Sequence, residues 1–235
     1  MIEAEWWDYD SAAEMGAAVS SDIQFIIERA VKDRGHALIV VPGGNTPAPV
    51  FAAMAKVKRD WSKVILLPTD ERLVPADSPL SNAAMIAAAF AHTDARVIRL
   101  AHGVDPADYK QAGRTADAAV ADLPWPPDLV VLGMGADGHT ASIFPGPDLK
   151  IALDAPVARR IVGTMPDPLP AEAPVARLTL TAPTILSARA LMMIISGDAK
   201  REVLEAAIEQ GQGSQYPIGR VLADSETPID VHWHP

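Results

Sequence analysis

Residues 128–146, "DLVVLGMGADGHTASIFPG", begin as a buried strand and end in a glycine-rich loop, and the loop decides between two folds. Gly133, Gly135 and Gly138 have the G-x-G-x-x-G spacing of a dinucleotide site. Such a site needs a helix of about ten residues directly after the glycines, then a second strand ending in an acid roughly 20 residues on. Here Pro145, Gly146 and Pro147 follow almost at once and would cut any helix to about two turns. "IALD" (151–154) arrives too early to be the second strand. The glycines are therefore read as a strand-end loop that carries His139, not as a cofactor cradle.

Outward from this loop, strand-like and helix-like runs alternate. "ALIVV" (37–41), "VILLPT" (64–69), "RVIRL" (96–100), "DLVVLGMG" (128–135) and "LMMIIS" (191–196) read as strands. "ARRIVGT" and "RLTLT" (177–181) read as further short strands, and "DVHW" (230–233) as a last strand at a sheet edge. Between them, residues 11–35 open with Ser11 and Glu14 in capping-box spacing and close at Gly35. Ser81 starts a second helix, Asp105-Pro106 a third running to about Leu123, and "AKREVLEAAIEQG" is a fourth. Alternation of this kind predicts an α/β fold in three layers, a mainly parallel sheet with helices on both faces. No repeat and no low-complexity linker interrupts it, and the proline-rich piece 166–174 reads as an internal loop, so a single domain over 1–235 is expected.

Composition narrows the function. Hydrophobic residues make up 49% and charged ones 21% of 235 residues, ordinary for a soluble domain. The absence of cysteine removes disulfides, thiolate nucleophiles and cysteine-based zinc sites, and suits a cytoplasmic location. "MIEAEWWDYD" lacks the basic and apolar regions of a signal peptide, and no apolar run approaches the roughly 20 residues of a membrane helix. A net charge of −10 argues against nucleic acid as a partner. A small anionic substrate remains open if local cations hold it. Nothing in the chain points to one oligomeric state.

In open α/β sheets, ligands bind beyond the carboxyl ends of the strands, and the unusual residues of this chain lie there. After "ALIVV" comes "PGGNTP" (42–47), whose backbone N–H groups before a helix suit an anion; it lacks the G-x-x-x-x-G-K of nucleotide hydrolases. After "VILLPT" comes "DERLVP", with two carboxylates and Arg72. After "DLVVLGMG" comes His139, a residue type able to accept a proton near neutral pH, among glycines that admit a substrate closely. After "LMMIIS" comes "GDAK", with Lys200 in the first turn of a helix. Each loop alone reads equally as a turn or a solvated charge. Their coincidence at strand ends is the informative part. G-x-S-x-G and H-E-x-x-H are both missing, and "HWH" (232–234) is a weak metal candidate at the chain end.

Taken in order, "PGGNTP", "TDERLVPADSPLSN", "LGMGADGHTASIFPG", "RLTLT" and "GDAK" resemble the 6-phosphogluconolactonase family, from about Ala37 to Lys200. That family shares a Rossmann-like fold with glucosamine-6-phosphate deaminases and sugar-phosphate isomerases. The resemblance implies hydrolysis of 6-phosphogluconolactone in the oxidative pentose phosphate pathway, with neither metal nor organic cofactor. It implies His139 as base, Asp137 as its orienting partner and Arg72 as electrostatic partner at the carbonyl or sugar hydroxyls. It further implies Gly43, Gly44, Asn45, Thr46, Arg177 and Lys200 around the phosphate, with Asp70 and Asn82 holding the loops or sugar hydroxyls.

Two alternatives share these loops: an amino-sugar phosphate deaminase and a non-catalytic sugar-phosphate binding module. The deaminase pattern resembles D-G-H-I-A-F-N-E-P, and here Phe144 stands where its glutamate would be. Arg72 likewise replaces an aromatic in the deaminase's second marker. A binding module would have no use for the His139 constellation.

Overall fold

A computed structural model describes residues 2–235 of the chain. Among the described residues there are ten strands and eight helices, mostly in alternation. They run β1 (Ala4–Asp8), α1 (Ala12–Arg34), β2 (Ala37–Val41), α2 (Ala48–Met54), β3 (Val64–Pro68), β4 (Asp70–Arg72), α3 (Asn82–Ala89), β5 (Arg96–Val97) and α4 (Tyr109–Ala119). There follow β6 (Leu129–Leu132), α5 (Leu149–Leu153), β7 (Ile161–Thr164), β8 (Arg177–Leu180), α6 (Ala182–Leu186), β9 (Leu191–Ser196), α7 (Asp198–Gln210), α8 (Pro217–Leu222) and β10 (Ile229–His234).

The continuous aliphatic runs form a central sheet because strands covered on both faces have no polar side to present. Its order is β1-β10-β9-β6-β2-β3-β5, with every neighbouring pair parallel. Side chains alternate across it. Ile39, Leu66, Val131 and Ile194 face one core, filled by Met15, Val19, Ile23 and Ile27 of α1 and by Val50, Phe51, Met54 and Ile86 of α2 and α3. Val40, Leu67, Leu132 and Met193 face the other, closed by Ala112 and Ala116 of α4, Ile185 of α6, Leu204 of α7 and Val221 of α8. Burying each large aliphatic contributes about 2 kcal/mol, so two such faces account for the layering.

The four apolar residues of α1 lie four apart and form one stripe. Ser11 caps this helix by accepting from the Glu14 N–H, and Gly35 ends it in the left-handed region at φ 81°. The Glu14 carboxylate reaches the Asp10 N–H at 2.9 Å, one residue before the cap.

Strand order reverses between β2 and β6. From β2 the chain moves outward to β3 and β5, then returns to the other side of β2. The carboxyl ends of β2 and β6 diverge there, opening the crevice in which α/β proteins hold ligands.

A second, antiparallel sheet of order β4-β8-β7 packs beside this crevice. Thr69 joins the two sheets: its N–H donates to the Val41 carbonyl, and its carbonyl accepts from Leu180. "ARRIVGT" and "RLTLT" thus belong to a separate sheet, and "DER", expected as a loop, is its third strand.

Four further expectations are corrected. "DVHW" is not at an edge: β10 lies between β9 and β1, and the edge is β1, whose "AEWWD" carries no continuous apolar signal. The third helix starts not at Asp105-Pro106 but at Tyr109, because the Asp108 carboxylate accepts from the Gln111 N–H and caps it there. That helix ends at Ala119, short of Leu123, and residues 96–100 supply only a two-residue strand. As Pro145, Gly146 and Pro147 led one to expect, no dinucleotide-type helix follows the 133–138 glycines, and the next helix starts at Leu149.

Candidate active site

A cleft of about 780 Å³ lies over the carboxyl ends of β2, β3 and β6, between the two sheets. It brings together the residues expected to bind or act on substrate: Gly43, Gly44, Asn45, Thr46, Asp70, Arg72, Asn82, Asp137, His139, Arg177 and Lys200 all line it, whereas His232 and His234 do not.

His139 is placed by its own loop. The Gly135 N–H donates to the His139 carbonyl at 2.9 Å, and the Gly138 N–H donates to the Gly135 carbonyl at 3.0 Å, closing a tight coil. Within it the His139 Nδ1 lies 2.5 Å from Asp137 Oδ1, which also accepts the His139 backbone N–H at 3.2 Å. With Nδ1 committed as donor to a carboxylate, Nε2 is the nitrogen left to accept a proton. Phe144 stacks on the imidazole at 4.0 Å between centroids, fixing the ring plane. Burial pushes the Asp137 carboxyl up, but the contacts from His139 pull harder and hold it below the usual carboxylate range. Gly135 is required by space: a Cβ there would overlap the His139 imidazole at Cε1.

The small sheet delivers the cations. In the β4–β8 ladder Arg72 pairs with Arg177 and Asp70 with Thr179, so all four side chains share the face toward the cleft. Their guanidinium groups are drawn apart, Arg72 donating to the Leu80 carbonyl at 2.8 Å and Arg177 to the Ala173 carbonyl at 2.7 Å. Arg177 is only 3% exposed, and its Nη1 is buried without a partner. Burial, with Arg72 beside it, lowers the pKa of Arg177, opposed by Asp70, Glu71 and Glu172. Burial likewise lowers that of Lys200. Two desolvated cations and an unsatisfied guanidinium donor make a site short of an anion.

Asp70 is a hub. Its Oδ2 accepts from Ser142 Oγ at 2.6 Å, and its Oδ1 from Thr69 Oγ1 at 3.0 Å and Asn82 Nδ2 at 3.3 Å. Asn82 also donates to the Asp70 carbonyl at 2.8 Å and lies against Gly43, where a Cβ would overlap its Oδ1. Glu71 points the other way, across α3. It accepts from the N–H groups of Arg72, Asn82 and Ala83 and from the Ser81 hydroxyl. Burial holds its carboxyl above the usual range while these bonds oppose the shift. Glu71 is thus an anchor for the start of α3, and so for Asn82.

Two residues that sequence reasoning passed over stand out. Ser142 binds all three strands of the small sheet: its hydroxyl meets Asp70, its N–H donates to Thr179 Oγ1 at 3.1 Å, and its carbonyl accepts from Thr164 Oγ1 at 3.1 Å. Between it and His139, Ala141 takes a left-handed φ of 49° and completes the turn. Thr179 was detectable, since it lies two residues after Arg177 in a strand and so shares its face. The 166–174 loop also reaches the cleft, through Asp167, Pro168, Leu169, Pro170, Glu172 and Ala173. Among the described residues no three His, Asp or Glu side chains gather as a metal site, and no helix is long and apolar enough to cross a membrane.

Comparison with known proteins gives a consistent picture. A family model described as glucosamine-6-phosphate isomerases/6-phosphogluconolactonase matches residues 10–233. A 6-phosphogluconolactonase of Mesorhizobium japonicum is 38% identical, over 98% of this chain and 95% of that protein. One from Pseudomonas aeruginosa is 32% identical, over 97% of this chain and 93% of that one. The crystal structure of a 6-phosphogluconolactonase from Shewanella baltica superimposes with a TM-score of 0.90 at 32% identity, covering 99% of this chain and 98% of the other. A monomeric glucosamine-6-phosphate deaminase shares the fold at a TM-score of 0.78 and 18% identity.

Proposed function

This chain belongs to the glucosamine-6-phosphate isomerase/6-phosphogluconolactonase family, and from that premise we infer that it hydrolyses 6-phosphogluconolactone to 6-phosphogluconate. The observation that carries the choice within the family is the His139–Phe144 stack: where a deaminase would need a titratable carboxylate, an apolar ring lies against the imidazole.

The mechanism follows from the placement. The substrate phosphate lies against the Gly43-Gly44-Asn45-Thr46 backbone, gripped by the Arg177 guanidinium and the Lys200 ammonium. The lactone carbonyl then faces His139. Its Nε2 takes a proton from a water as that water's oxygen attacks the carbonyl carbon, and negative charge moves to the carbonyl oxygen. Arg72, tethered away from Arg177 by the Leu80 carbonyl, stabilises that charge. When the tetrahedral centre collapses the ring C–O bond breaks, and the His139 imidazolium returns its proton to the departing ring oxygen. Asp137 holds the imidazole in the required tautomer and stabilises the imidazolium while it exists. The step needs no redox partner: it consumes water and yields a hydroxyl and a carboxylic acid, which gives its proton to solvent to become the carboxylate. We place this activity in the cytoplasm, as the second step of the oxidative pentose phosphate pathway.

The test is a paired assay of the purified chain. Freshly generated 6-phosphogluconolactone, corrected for spontaneous hydrolysis, should be consumed rapidly, and glucosamine 6-phosphate should release no ammonia. Ammonia release without a lactone rate above background would reverse the assignment.

A further inference from the structure

Lys200 is the one cation of the cleft with no fixed partner: among the described residues no hydrogen bond or ion pair holds its ammonium, and burial lowers its pKa. Its position is therefore set by the first turn of α7. That turn begins at Gly197, φ 84°, an N-cap with no side chain to accept from the first N–H groups of the helix.

The turn is tied instead to the neighbouring strand β10. The Gly197 N–H donates to the His234 carbonyl at 2.9 Å, and the Trp233 indole Nε1–H donates to the Gly197 carbonyl at 3.1 Å. One residue beyond Lys200, the Arg201 guanidinium is sandwiched between two indoles, 4.9 Å from the Trp6 ring centroid and 4.7 Å from that of Trp233. Its nitrogens also meet Asp8 at 2.8 Å and Glu205 at 3.0 Å. Trp6 and Asp8 belong to β1 and Trp233 to β10, so the edge strand and its neighbour converge on the residue next to Lys200.

We propose that the Trp6–Arg201–Trp233 stack is a positioning device for substrate phosphate: by clamping the first turn of α7 to β1 and β10, it holds the Lys200 ammonium in the cleft. None of the three lines the cleft. They act through Lys200, and the proposal rests on the reading of Lys200 as a phosphate ligand. A guanidinium held between two indole faces is suited to this, since it resists displacement both along and across the helix axis.

The experiment compares kcat/KM for 6-phosphogluconolactone and for unphosphorylated gluconolactone in wild type, Arg201→Met, Lys200→Met and the double variant. Arg201→Met should lower kcat/KM about threefold or more on the phosphorylated lactone, mainly through KM, and leave gluconolactone unchanged. Arg201→Lys should restore part of the loss, and Trp233→Phe should reproduce part of it. In the Lys200→Met background, Arg201→Met should cost nothing further, because a positioning residue has no effect once the group it positions is gone. Should Arg201→Met fail to fold, Arg201→Lys and Trp233→Phe read the same ratio. Equal losses on both lactones, or an undiminished Arg201 effect without Lys200, would overturn the proposal. If Lys200→Met treats the two lactones alike, the phosphate assignment falls and the stack's role with it; if Lys200→Met discriminates and the Arg201 and Trp233 variants do not, the stack's role alone falls.

Discussion

Arg72 and Arg177 stand directly opposite each other across the β4–β8 ladder, two guanidinium groups on one face of a small sheet. Like charges so paired are unfavourable in a sheet, and among the described residues neither arginine has an ion-pair partner. An anion between the sheets removes the conflict.

Inorganic phosphate should therefore raise the Tm of the chain, by linkage to the folded state alone. Arg177→Lys keeps the charge but loses the fork. It should lower kcat/KM on the phosphorylated lactone by about 10- to 100-fold, leave gluconolactone much less affected, and shrink the Tm gain. Equal losses on both lactones with the phosphate response intact would assign Arg177 to the fold.

How far this was legible in the sequence differs by element. The central strands were, because β2, β6 and β9 are apolar on both faces and bounded by glycine or proline. The site loops were, because each follows such a strand. β1 and the placement of β10 were not: Asp8, Asp230 and His232 look like solvent-facing residues, yet His232 is buried under α1 and Tyr9. β4 is three residues long and charged, and only its long-range pairing with β8 makes it a strand. The Ser142 clamp depends on three contacts 22 to 72 residues away, beyond any local pattern.

Ser142→Ala tests that clamp. It removes the hydroxyl bond to Asp70 and leaves the two backbone bonds, so a charge-assisted bond worth about 2 kcal/mol is lost. Chemical denaturation should show that loss, and kcat should fall because the His139 loop is then less firmly registered against Arg72. An unchanged stability would mean that the bond makes no net contribution.

Gly135→Ala should be severe for activity and mild for the fold. Its φ is not left-handed, but the added methyl would occupy the space of His139 Cε1 and Nδ1, pushing the imidazole away from the lactone. Misplacement by about 1 Å costs roughly 100-fold in rate. Steady-state kinetics beside circular dichroism check both halves.

His232 should make the fold acid-sensitive. Burial depresses its pKa from 6.5 to about 4, against the pull of Asp230, with Tyr9 Oη 2.9 Å from its Nδ1. The unfolded chain therefore binds the extra proton first as pH falls. Stability present above about pH 6.5 is lost progressively toward pH 4, by up to about 3 kcal/mol. In urea titrations from pH 7 to 4, His232→Leu should flatten that slope; an unchanged slope would place the acid sensitivity elsewhere.

The central claim is that the His139 imidazole, held by Asp137, activates the water. It is tested most directly by the turnover of His139→Ala on freshly generated 6-phosphogluconolactone, after subtraction of the spontaneous rate. A positioned base contributes about 10²–10⁴-fold, so kcat should fall at least about 100-fold while the fold and the phosphate-induced rise in Tm persist. A folded His139→Ala variant that turns over at the wild-type rate would contradict the account.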